Sequence, residues 1–105
     1  MKTFSTLAIL IGVLGGLAAQ PAMAAPNLAN GKKIEDTKCY QCHAEKSGLG
    51  DGTLIYTRKD RRVKGLDRLK VMVARCNTEL RLDLFPEDEA DVVAYLNQQY
   101  YKFKP

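Results

Sequence analysis

The residues best suited to chemistry in this 105-residue chain lie in one run of five, Cys39-Tyr40-Gln41-Cys42-His43. Two thiols three positions apart on a turn can each form a thioether with one of the two vinyl groups of a porphyrin. The imidazole that follows them is then carried under the ring, where it serves as the proximal iron ligand. His43 is the only histidine present, so no other residue is available for that part. The spacing predicts one covalent haem c held by Cys39, Cys42 and His43. The competing readings of a Cys-x-x-Cys pair fit the chain less well. A zinc site needs four ligands, and three cysteines with one histidine supply them only if the distant Cys76 joins. A thioredoxin-like redox pair needs alternating strands and helices, a pattern absent from this sequence.

The other face of the iron has three candidate ligands. Leu66, Leu69, Val73, Cys76 and Leu80 recur at steps of three and four, the spacing of one helical face, so Cys76 points where the leucines point. Met72 lies four residues earlier on the same side. As a thiolate, Cys76 would push the reduction potential low, with Arg75 beside it favouring the charged form. Met72 would give a high-potential carrier, and Asn77 a weak ligand that oxygen, nitric oxide or carbon monoxide displaces. The plainer reading of Cys76 is a small core residue, because unpaired cysteine is among the most buried types.

The elements that must position these groups follow an export signal. Lys2, the uncharged apolar stretch from Leu7 to Ala19 and the small-x-small pattern Ala22-Met23-Ala24 predict a signal peptide over residues 1–24, cleaved after Ala24. The apolar stretch falls short of the roughly 20 residues a membrane span needs, so no stable anchor is expected. A single domain over residues 25–105 in the bacterial periplasm is predicted. A chain of this size builds a small core, which a covalent prosthetic group would staple. Without Lys2 the excess of basic residues over the 12 acidic ones falls to about three, which two haem propionates would reduce further. That balance implies no nucleic-acid partner.

Within the domain, Asn27 is placed to cap a helix through Leu28, Gly31 and Ile34 that leads to the cysteine pair. Ser47 to Gly52 reads as a loop, and Thr53 to Thr57 as a short extended piece. Arg58 to Lys64 carries five basic residues, read as a solvated surface or as cations for the propionates or an acidic partner. Pro86, followed by Glu87, Asp88, Glu89 and Asp91, starts a last helix whose buried face should be Val92, Val93, Leu96 and Tyr100. Tyr100, Tyr101 and Phe103 form an aromatic tail.

Taken together, the Gly31-Lys32 pair eight residues before Cys39, the CYQCH motif and the terminal segment from Pro86 to Leu96 resemble the class I cytochromes c. The resemblance implies an all-α, small cytochrome c-like helical fold around one covalent haem. It also implies that the first and last helices cross, with Gly31 admitting Tyr95. Two departures stand out: no proline follows His43 closely, and no Met in a distal loop is present. Arg75-Cys76-Asn77-Thr78-Glu79-Leu80 is more similar to two rarer groups, the asparagine-ligated oxygen-binding monohaem proteins and the small His/Cys-ligated cytochromes that pair as heterodimers. What these resemblances imply is an electron carrier working with redox partner proteins or a second small cytochrome, and the sequence offers no catalytic acid–base pair of the kind an enzyme would need. The alternative they imply is a haem protein that binds or senses diatomic gases.

Overall fold

Asn27 opens the first helix with its side chain, whose Oδ1 accepts from the Asn30 amide at 3.0 Å and so satisfies one of the donors a first turn leaves free. The computed structural model describes residues 25–105 and, before them, Gly12, Gly15 and Gly16. The rest of the expected signal segment and its cleavage point lie outside the described residues. Helix α1 (Leu28–Ile34) runs without a break into a π-helical turn (Glu35–Cys39) and then into α2 (Tyr40–Ser47). In that turn the Tyr40 amide bonds back to the Glu35 carbonyl, five residues away. The extra residue in the turn rotates the face carrying Cys39, Cys42 and His43 relative to the one carrying Gly31 and Ile34.

Helix α1 is fixed against the last helix, α5 (Pro86–Leu96), by polar and steric complementarity at one crossing. The Asn27 amide donates to Asp91 Oδ1 at 2.7 Å, and Asn30 Nδ2 donates to Asp88 Oδ1 and Asp91 Oδ2, both at 2.9 Å. A methyl group on Gly31 would stand 2.7 Å from the Asp91 carbonyl carbon and 2.8 Å from Tyr95 Cβ. The crossing of first and last helices at Gly31 and Tyr95 is therefore present.

The segment expected to be extended is instead a short helix, α3 (Leu54–Thr57). Asp51 decides this locally. Its carboxylate accepts from the Thr53 amide at 2.9 Å and the Thr53 hydroxyl at 2.7 Å, which turns the chain, and the Tyr56 amide then reaches the Thr53 carbonyl at 3.0 Å. Burial of Tyr56 overrides the strand preference of its β-branched neighbours.

Helix α4 (Leu66–Leu80) carries the apolar stripe read from the sequence, with Leu69 fully buried. Helix α5 buries Val92, Val93 and Leu96 as expected. Tyr100 does not continue that face: Tyr101 is the buried residue and Tyr100 is only half-buried. A second π-helical turn (Asn97–Tyr101) explains the shift, because its wider repeat puts the residue five beyond Leu96 on the core side. The core joins Ile34, Tyr56, Val63, Leu69, Val92, Val93, Leu96 and Tyr101. The domain is all-α, with no strand among the described residues. None of its described helices is long and apolar enough to cross a membrane.

Candidate functional site

The inner face of α2, the stripe of α4 and the buried face of α5 do not close on one another; they enclose a cavity of about 780 Å³, its solvent-open part included. Cys39, Cys42 and His43 form one wall, with Lys38 and Lys46 at its edges. Leu69, Met72, Val73, Cys76 and Leu80 of α4 line it as well, together with Leu84, Val92 and Leu96. Lys38 Nζ donates to the Leu82 carbonyl at 2.8 Å, joining the first π-helical turn to the loop after α4. The size and the apolar lining with a few polar groups are those of a small-molecule site.

The α2 wall is held rigidly from behind. Gly52 sits so close to it that a Cβ there would stand 3.0 Å from the Tyr40 ring and 3.2 Å from the Ala44 amide. His43 Nδ1 lies 2.7 Å from the Tyr56 hydroxyl, and the two rings meet edge to face at 5.2 Å between centroids. With Nδ1 engaged there, Nε2 is the nitrogen left for a metal. Burial, helped by the Lys46 charge, holds the imidazole below its usual pKa, which favours the neutral, ligating form.

The three cysteines are unpaired and half-buried. Burial pushes the Cys39 thiol up to about 11, with negative charge at Glu35, Cys76 and Cys42 adding to the effect. Cys76 is raised in the same way, chiefly by burial. Lys46 opposes that rise more strongly than Arg75 does. The expected help from Arg75 is weak because its guanidinium is turned to Glu79, 3.3 Å away on the next turn.

No family model, curated protein or solved structure matches this chain. The geometry of the cavity alone therefore carries the assignment of its parts.

The structure brings Cys39, Cys42, His43, Met72 and Cys76 to one cavity and leaves Asn77 off its walls. The Asn77 amide is committed elsewhere. Its Nδ2 donates to the Leu84 carbonyl at 3.0 Å and to Glu89 Oε1 at 3.1 Å, and its Oδ1 accepts from the Leu84 amide at 3.0 Å. Among the described residues no three His, Cys, Asp or Glu side chains gather to hold a bare metal ion. Two thiols and an imidazole from the α2 side, and a thioether and a thiol from α4, line this cavity together with aliphatic side chains.

Sequence reasoning missed Tyr56 and Glu35. Tyr56 Oη donates to Glu35 Oε1 at 3.2 Å, which continues the line that begins at His43. Neither residue belongs to a motif, and the π-helical turn that buries Glu35 leaves no pattern in composition or spacing.

Proposed function

We propose that this chain is a periplasmic c-type cytochrome that passes single electrons through one covalently bound haem. The observation that carries the proposal is the convergence of Cys39, Cys42 and His43 on one apolar cavity that Cys76 of α4 also lines. Haem, when bound, supplies an iron that cycles between ferric and ferrous states. Cys39 and Cys42 would hold the group by adding their thiols across its vinyl groups, and His43 Nε2 and the Cys76 sulfur would be the side-chain atoms available to its iron. Leu69, Val73, Val92 and Leu96 keep water from most of the cavity.

A second cavity, lined by Arg58, Arg61 and Arg62, shares Ile55, Val63, Met72 and Tyr101 with the first. Asp60 also lines it and pairs with Arg58 at 3.1 Å, and Arg61 holds the Tyr56 carbonyl, so Arg62 is the cation of the three best placed for a porphyrin carboxylate. Leu80, half exposed on the cavity wall, would give a redox partner protein or a second small cytochrome an apolar contact beside the cavity.

The test is a mediated redox titration of the purified holoprotein, followed by mixing the ferrous form with carbon monoxide. A reversible one-electron transition with slow or absent gas binding is the expected result. Prompt stoichiometric binding in the native fold would replace the carrier with the gas-binding reading.

A further inference from the structure

His43 Nδ1, Tyr56 Oη and Glu35 Oε1 form one hydrogen-bonded line, with steps of 2.7 Å and 3.2 Å. The phenol has a single proton. Given to Glu35, that proton leaves the oxygen lone pairs to accept from Nδ1–H, which fixes the tautomer with Nε2 bare. The phenol is clamped: its ring lies 5.1 Å from that of Tyr100 and 5.9 Å from that of Tyr101. The Tyr56 carbonyl accepts from Arg61 Nη1 at 2.9 Å. Tyr56 is 3% exposed and Glu35 2%, so water does not compete for either group. A buried carboxyl is costly to keep in a small core, and an apolar pair of the same shape would fill this space without that cost.

We infer that Tyr56, itself oriented by Glu35, is the positioning residue for the iron-binding imidazole, fixing the rotation and tautomer of His43 and strengthening its electron donation at Nε2. The inference rests on the haem reading above. A ligating histidine that donates its other N–H to a good acceptor becomes a more basic ligand, which favours ferric iron. Removing the acceptor should therefore favour the ferrous state.

The experiment compares holoprotein of the wild type with Tyr56→Phe and Glu35→Gln. Mass and visible absorption report haem attachment, which neither variant should change, because the thioethers belong to Cys39 and Cys42. Potentiometry should show Tyr56→Phe shifted towards the ferrous form by a factor of about two to five in the ferrous-to-ferric ratio at fixed poise, since only the part of the hydrogen bond's worth that differs between the two oxidation states counts and one whole bond, roughly five-fold, bounds it. Isotope-labelled histidine gives a single Nδ1–H signal, since His43 is the only histidine, and that proton should exchange with solvent faster in Tyr56→Phe. Glu35→Gln keeps an oxygen acceptor for the phenol and should move both readouts the same way by less; it carries the test alone if Tyr56→Phe does not fold. Haem in every protein, with potentials and Nδ1–H signals unchanged in the folded variants, would overturn the inference and leave the haem reading standing. A wild type without haem would defeat both.

Discussion

Gly31 on α1 packs against Tyr95 on α5 with no room for a side chain between them, a Cβ at position 31 falling 2.8 Å from Tyr95 Cβ and closer still to the Asp91 carbonyl oxygen. Backbone is on the other side of that contact, so the overlap is relieved only by moving a helix. Gly31→Ala should cost about 2–3 kcal/mol, at the upper end of overpacking penalties. Chemical denaturation of the holoprotein measures it, and a loss below about 0.5 kcal/mol would show that the crossing is loose.

The three sulfur or amide candidates for the far side of the iron separate by spectrum. Cys76→Ala should abolish low-spin thiolate features in the ferric EPR spectrum and raise the reduction potential, while Met72→Leu leaves the spectrum in place. Asn77→Ala should keep the wild-type spectrum yet lose about 1–3 kcal/mol of stability, because it strands the Leu84 backbone groups and Glu89. A wild-type spectrum in Cys76→Ala that changes in Met72→Leu would reverse the assignment.

Glu35 gives stability a pH dependence of definite sign. Burial raises its carboxyl above the ordinary 4.5, outweighing the Tyr56 hydrogen bond that pulls it down. The unfolded chain releases this proton at lower pH than the folded one, so the contribution is fully present below about pH 4.5 and is lost as the pH rises through the folded value. Glu35→Gln should therefore gain on the wild type as the pH climbs from 4.5 towards neutrality. Denaturation midpoints across that range check it, and a constant difference between the two proteins would contradict it.

The basic run is not uniform. Arg61 lies over the Tyr101 ring at 4.9 Å and the Phe103 ring at 5.5 Å while its Nη1 holds the Tyr56 carbonyl. Arg61→Ala should cost about 1–2 kcal/mol. Lys59, exposed on the same run, should be replaceable by Ala within about 0.5 kcal/mol. Thermal unfolding of the two variants side by side distinguishes a structural arginine from a solvated lysine.

Local rules recovered the parts of this fold that local chemistry decides. The Asn27 cap, the α4 stripe and the acidic start of α5 each follow from side chains within a few residues. Tyr101 took the buried place expected of Tyr100, and Tyr56 lies in a helix, because a widened turn in one case and a distant core in the other outweigh local spacing. The CYQCH run stood out because the chemistry proposed for it requires fixed spacing. Tyr56 and Glu35 did not, since folding brings Tyr56 to His43 across 13 residues of chain and Glu35 to Tyr56 across 21.

The central claim is tested most directly by the intact mass and visible spectrum of protein made in a host with cytochrome maturation machinery. A red protein one haem heavier than its processed polypeptide is expected, and no covalent haem after Cys39→Ser with Cys42→Ser. A colourless wild type at the bare polypeptide mass would contradict it.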